Sequence, residues 1–326
     1  DLNARRSEPL PKVAPVSARA ICFSTAGSLL ALGADHGDVD LLDLSGTEGT
    51  GKLAGNGYPV LSGVVRPELL VTGRVNGAVA SISSTDGLTD HDGHGFFTYC
   101  ARYLGDGTFA SGGFDQQVRF WRPGEVAEIG RADHGGLIFS LDWNRRENRL
   151  MAAGGDRISV FSLSDFRPLW RLEVARVGTH LVAAFTADGR IAGVGEAPIM
   201  KVWAEGQEVA SFSLPDAHSC AIEAVPGENI VVVASAYGRV SLVSVDSGES
   251  QMLHGEHEDW IRVLRVSPDG RRIFSVSQNG SALLYDRAAN RVVDRFDHRP
   301  IAIGDFDAQG ILRWLDCAGV VHVESR

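Results

Sequence analysis

One recurrence constrains this chain more than any other feature. Short apolar runs come in groups, and the turn between the second and third run of each group falls at Gly37, Gly77, Gln117, Arg157, Ala197, Gly238, Gly280 and Gly319. The intervals are 40, 40, 40, 40, 41, 42 and 39 residues. A period held so closely along the whole chain means that one supersecondary unit is stacked again and again, because a unit of that size cannot bury its apolar faces alone. The runs are short, rich in Val, Ile and aromatic residues, and bounded by Gly, Asp or Asn, which is the pattern of strands joined by tight turns.

The stretch from His94 to Trp121 shows the unit most completely. Tyr99 to Leu104 reads as a first strand, closed by Gly105-Asp106-Gly107. Thr108 to Gly112 reads as a second, Phe114 to Gln117 as a turn, and Val118 to Trp121 as a third. Four residues at its corners, His94, Ser111, Asp115 and Trp121, can form a hydrogen-bonded chain from turn carboxylate to imidazole to hydroxyl to indole, which would pin the three strands. The other units keep less of it: unit seven has His257, Ser275, Asn279 and Tyr285, unit two has Thr72 and Asn76, and unit five has Trp203.

Three strands per unit, with room for a fourth before the next, predict an all-β propeller of eight four-stranded blades, seven being the alternative, in a single domain over residues 1–326. The last unit stops at Arg326 without a fourth strand. Residues from about Arg6 to Pro15 stand where a fourth strand should, so an N-terminal strand is expected to complete the last blade and close the ring. Pro9, Pro11 and Pro15 are tolerable on such an outer edge.

With Gly93-His94 before its first strand and Phe120-Trp121 ending its third, unit three resembles a repeat of the WD-repeat family, although Arg122 stands where that family places Asp. The resemblance extends over almost the whole chain. It implies a non-enzymatic scaffold or adaptor with no obligatory cofactor, holding a protein partner on the face where the loops before first strands and between second and third strands emerge. Those loops carry Arg74, Phe114, Arg157, Tyr237 and Trp260, residue types enriched at binding hot spots.

Charge bears on the partner. The net charge is −10 and only three of the 31 basic residues are lysine, the arginines being spread without a stripe, so phosphate neutralisation by a nucleic-acid binder has no support. The arginine bias suggests a bacterial, G+C-rich genome. No apolar run approaches a membrane span, and the N-terminus lacks the apolar core of a signal peptide. Cys22, Cys100, Cys220 and Cys317 lie far apart, mostly within apolar runs, and are expected as buried thiols, which fits a cytoplasmic location.

Three chemical readings compete with the scaffold. His91 with His94, and His254 with His257, have a spacing that can bind zinc; the structural account places His94 and His257 in the strand-pinning chain and leaves His91 and His254 as exposed loop residues. His94, Ser111 and Asp115 invite comparison with a hydrolase triad, but Ser111 lies inside a strand without a nucleophile elbow. Arg102, Asp142, Glu223, Arg262 and Asp305 fall on first strands, which line a propeller's channel, where they could bind a small ligand or metal or, in a hydrolase or lactonase, do chemistry. Three further histidines that match the family's position, His134, His218 and His298, sit just before first strands and read as structural.

Overall fold

The computed structural model describes the chain except residues 1–17, 24–28, 35–38, 44–48, 54–59, 67–68, 75, 84–86, 106, 255–256, 297–300, 307–308, 317–320 and 325–326, and gives the strands between residues 18 and 70 as backbone. All regular structure among the described residues is β. Seven antiparallel sheets of four strands and one of three follow one another along the sequence, each strand pairing with the next. Their first strands are Ala18–Phe23, Val60–Arg66, Thr98–Tyr103, Ser140–Asn144, Val182–Phe185, Ser219–Ala224, Ile261–Val266 and Ile301–Phe306. Each of these stands beside the first strands of the sheets before and after it, and Ala18–Phe23 also neighbours Ile301–Phe306. The first strands therefore form the axial layer. The segment expected to complete the last sheet lies outside the described residues.

Sequence-local turn chemistry sets up each sheet. Asp188-Gly189 and Asp269-Gly270 close hairpins with the glycines at φ +86° and +70°, a region that costs a side chain energy and glycine little. In the second hairpin Asp269 also accepts a hydrogen bond from the Ser267 hydroxyl at 2.5 Å.

The core sits between sheets rather than within any one. Sheet three's second strand, Phe109–Gly113, is buried along its whole length, because one face packs on sheet two and the other on sheet four. Phe109 and Trp121 meet Val71 and Val79 of sheet two, while Ala110, Val118 and Phe120 meet Ile138, Leu141 and Leu150 of sheet four. The same arrangement joins sheets four and five through Met151, Ile158, Leu181 and Trp203, and sheets seven and eight through Phe274, Phe296 and Trp314. Fourth strands such as Gln207–Ser213 present alternate residues to solvent.

Neighbouring sheets also touch through backbone. Gly77 has φ +87° and a Cβ there would stand 2.1 Å from the His94 carbonyl oxygen; Gly238, at φ +76°, would stand 2.0 Å from that of His257. In both places the turn between second and third strands lies flat against the segment that enters the next sheet. Only glycine permits that approach.

Candidate functional site

In sheet three the side chains meet in a continuous chain. Asp115 Oδ1 lies 2.8 Å from His94 Nδ1, His94 Nε2 lies 2.7 Å from Ser111 Oγ, and Trp121 Nε1 donates to Ser111 Oγ at 2.7 Å. An indole only donates, so the hydroxyl oxygen accepts from it and passes its own proton to Nε2, which places the imidazole proton on Nδ1, facing the carboxylate. Burial pushes the Asp115 carboxyl up, but the hydrogen bond from His94, the Gly95 N–H and Arg119 together hold it well below the usual carboxylate range. Arg119 joins Asp115 to Glu128, at 3.1 and 2.7 Å. Every side-chain polar atom of His94, Ser111, Asp115 and Trp121 is hydrogen-bonded, and Ser111 has no exposure from which to attack a substrate.

Sheet seven carries a different version. His257 Nε2 meets Ser275 Oγ at 2.8 Å, but Nδ1 meets Ser281 Oγ, also at 2.8 Å, instead of Asn279, which bonds Ser277. Tyr285 sends its hydroxyl to Asn290 at 2.7 Å. Thr72 lies on the strand Leu69–Arg74 with a side chain outside the described residues, Asn76 Oδ1 accepts from the Ala78 N–H at 3.1 Å, and Trp203 is buried.

The paired histidines separate. His91 is not an exposed loop residue: it ends the fourth strand of sheet two, Gly87–His91, and is buried, with Nε2 2.8 Å from Ser81 Oγ and Nδ1 2.9 Å from the Glu125 carbonyl. Its ring lies 5.1 Å from that of Trp121, so it fastens sheet two to sheet three. Burial lowers its pKa. His254 ends the strand Ser250–His254 and its side chain lies outside the described residues. His91, His94 and His257 are thus each engaged at both ring nitrogens, and among the described residues no group of three or more His, Cys, Asp or Glu is placed to hold a metal.

His134 is buried between Ser159 Oγ at 2.9 Å and the Gly154 carbonyl at 3.1 Å, and burial lowers its pKa to about 4. His218, expected to be structural, is instead exposed, its ring edge-on to Tyr237 at 6.1 Å. His298 lies outside the described residues.

On the axial strands, Arg102 pairs with Asp142 at 2.6 Å and Arg265 with Asp305 at 3.5 Å. Glu223 accepts the Val266 N–H at 3.0 Å, and burial, only partly offset by Arg265, pushes its carboxyl up to about 8. Asp142 likewise accepts the Phe185 N–H of the next sheet at 2.8 Å. These carboxylates stitch one sheet to the next. The Arg262 side chain lies outside the described residues. Cys100 and Cys220 are free thiols pushed by burial up to about 12 and about 11, too high to supply a thiolate at neutral pH.

The five residues proposed for the partner face fare differently. Arg74 ends the strand Leu69–Arg74, its side chain outside the described residues. Arg157 is occupied by the Gly135 carbonyl at 2.6 Å and by Glu173 at 3.2 Å. Tyr237 and Trp260 are half exposed, at 55% and 49%. Phe114 is partly buried within a larger group that the five do not include: Phe96 meets Phe97 at 5.0 Å, Phe97 meets Phe114 at 5.4 Å, Tyr99 stacks on Phe114 at 5.6 Å, Phe139 meets Tyr99 at 5.3 Å and Phe114 at 5.5 Å, and His180 lies 4.6 Å from Phe139. This arc crosses the loops of sheets three, four and five, with Phe96, Tyr99 and Leu137 exposed. Aligned on the repeat, Phe97, Leu137 and Trp260 share one position and Tyr99 and Phe139 another, which is the sequence signal that marks the arc.

The WD domain, G-beta repeat model matches residues 84–122 and 248–286, the two stretches that end in Arg122 and Asp286 and hold most of sheets three and seven's histidine chains. The crystal structure of Sqt1 from Chaetomium thermophilum, bound to the N-terminus of the ribosomal protein L10, superposes with a TM-score of 0.81 at 14% identity, covering 99% of this chain and 100% of that one. The fold is that of a WD-repeat propeller. The computationally designed Ika8 protein shares it at a TM-score of 0.78, 17% identity and 99% and 100% coverage, and the WD40 β-propeller domain of Doa1 at 0.65, 15%, and 99% and 96%. In sequence, actin-interacting protein 1 of Drosophila melanogaster is 24% identical over 200 residues, which are 59% of this chain and 30% of that protein. The match thus spans less than a third of that relative.

Proposed function

We propose that this chain is a non-enzymatic interaction scaffold: one domain over residues 1–326, an eight-bladed WD-repeat propeller closed by an N-terminal strand, working in the cytoplasm of a bacterium and holding a protein partner on the face that carries the aromatic arc. The arc is the observation that carries the reading. Contiguous exposed aromatic side chains on a folded surface cost solubility, and they are retained where a partner covers them. A stack of sheets cored between its members holds such loops rigidly, so little ordering entropy is lost on binding. Sqt1, crystallised with the N-terminus of L10, and actin-interacting protein 1, by its name, are propeller relatives that engage proteins, which supports the same kind of role here. The arginine-rich composition and the partly buried, free thiols Cys100 and Cys220 support the location.

The test is affinity capture of tagged wild-type chain and a Phe114→Ala/Tyr237→Ala variant from native extract, with bound proteins quantified by mass spectrometry. A stoichiometric protein lost from the variant is expected. Equal recovery by both, with the variant folded, contradicts the choice of face.

A further inference from the structure

The two faces of the stack treat charge differently. On the face of the turns within hairpins one and three of each sheet, four arginines are locked into pairs that cross from sheet to sheet, Arg149 with Glu205 at 2.6 Å, Arg190 with Asp246, Arg287 with Glu228 at 2.8 Å and Arg272 with Glu324 at 2.6 Å, while Arg145 and Arg146 are exposed outside any pair among the described residues. These pairs staple sheets four to eight together. The arc face keeps four carboxylates outside ion pairs. Asp156, Glu196, Glu258 and Asp259 are exposed there and stand in no ion pair among the described residues, whereas Arg157 and Arg239 are paired with Glu173 and Asp216. Arg176 is the single exposed arginine of the described loops on this face outside a pair.

Glu196 and Asp156 adjoin the arc, whereas Glu258 and Asp259 flank Trp260 at the entry to sheet seven. Glu196 accepts the His180 N–H at 3.2 Å and the Thr179 hydroxyl at 3.1 Å, next to the end of the arc where His180 meets Phe139. Asp156 lies in the adjoining turn, beside Gly155, whose N–H bonds the Thr179 carbonyl. Glu258 and Asp259 immediately precede the half-exposed Trp260. Burial lowers the pKa of His180 despite the pull of Glu196, so the imidazole adds no positive charge at neutral pH.

From this juxtaposition we infer that the partner element is a basic peptide segment, with arginine or lysine side chains spaced among apolar ones. Ring faces attract guanidinium and ammonium groups, the apolar side chains cover Phe96, Phe97, Tyr99 and Phe139, and the bordering carboxylates select positive charge and speed its approach. The inference rests on the interaction-face reading and narrows it to one chemistry. An acidic segment would bring its carboxylates against Glu196, Glu258 and Asp259, and a nucleic acid would be repelled by the same groups.

The test is selection of a random dodecapeptide library on the full-length chain at neutral pH, followed by fluorescence anisotropy with the three most enriched peptides, labelled. An enriched pool rich in Arg and Lys among apolar residues is expected. Tyr99→Ala/Phe139→Ala should weaken those peptides at least tenfold. Glu196→Gln/Glu258→Gln should weaken them about threefold to tenfold and flatten their salt dependence. Unchanged circular dichroism and melting temperature identify the variants as folded, and Phe97→Leu with Glu196→Asp serves as a milder pair should the alanine variants unfold. A neutral or acidic pool, or basic peptides indifferent to both variants, overturns the inference. So does concentration-dependent self-association by sedimentation that the arc variant abolishes, since a second copy would then be the occupant. Failure to enrich any peptide, while a captured protein still depends on the arc, removes the basic segment and leaves the interaction face standing. Failure of both removes both.

Discussion

Ser111→Ala probes the chain of hydrogen bonds that organises sheet three. The hydroxyl is bonded at 2.7 Å to both His94 Nε2 and Trp121 Nε1, and Ser111 and Trp121 are fully buried while His94 is 6% exposed. Removing the oxygen deletes two hydrogen bonds and strands an indole donor and an imidazole acceptor that water cannot reach. At about 1–3 kcal/mol for each of the two stranded groups, the loss is about 2–6 kcal/mol, a large part of a domain's usual stability margin of about 5–15 kcal/mol. Trp121→Phe in the same background removes the stranded donor, so the double variant should lose less than the sum of the two single changes, with a coupling of about 1 kcal/mol or more. The assay is urea unfolding followed by tryptophan fluorescence and far-ultraviolet circular dichroism, with the exposed Ser250→Ala as control. A Ser111→Ala midpoint within about 0.5 kcal/mol of wild type, the spread of ordinary surface substitutions, would refute the assignment of the network as the unit's main polar fastening.

The remaining predictions concern burial, backbone and thiols. Glu223 has a carboxyl raised from 4.5 to about 8, so the folded state holds a proton that the unfolded chain gives up. Its stabilising effect is complete below pH 4.5 and declines as pH rises toward 8. The decline is at most about 1.4 kcal/mol per pH unit. Glu223→Gln, which keeps an acceptor for the Val266 N–H, should match wild type in melting temperature at pH 5 and exceed it at pH 9; parallel pH profiles would count against a buried, protonated carboxyl. Gly238→Ala places a Cβ 2.0 Å from the His257 carbonyl at φ +76° and should cost about 2 kcal/mol or more in urea unfolding, whereas Gly227→Ala, with open space around it, should cost about 1 kcal/mol from its positive φ alone. The Cys100 thiol, pushed up to about 12, should resist alkylation by iodoacetamide at pH 8 until denaturant is added, and fast labelling of the native chain would contradict its burial.

The repeat was legible because a period of about 40 residues is a property of the strand and turn pattern, and each sheet of the stack solves the same burial problem with the same spacing. His94, Ser111, Asp115 and Trp121 could be grouped from sequence since their separations within one unit are fixed by two hairpins. His91 could not: its partners, Ser81, Glu125 and the Trp121 ring, come from two different sheets, and only packing shows that the fourth strand of one meets the third of the next. Asn279 was misplaced in unit seven for a related reason. Where the turn carries an uncharged amide in place of a carboxylate, the amide bonds Ser277 and the neighbouring Ser281 hydroxyl takes the imidazole. The aromatic arc was half visible. Phe114 stands out in the sequence as one of five loop residues suited to a partner, but Tyr99 and Phe139 sit on or beside first strands, and the sequence pattern reads such positions as core until the axial layer is seen to open at one face. Arg157 shows the opposite error, a loop arginine that looks free and is in fact tied to a carbonyl of its own sheet.

The central claim, that one face of the stack holds a protein, is tested most directly by hydrogen exchange on the captured complex against the free chain. Protection is expected in residues 94–99, 114–116, 137–139, 178–180 and 258–260, with exchange unchanged in the outer strands Pro168–Glu173 and Gln207–Ser213. Protection confined to those outer strands or to the turns that hold Arg149, Arg190 and Arg287 would contradict it.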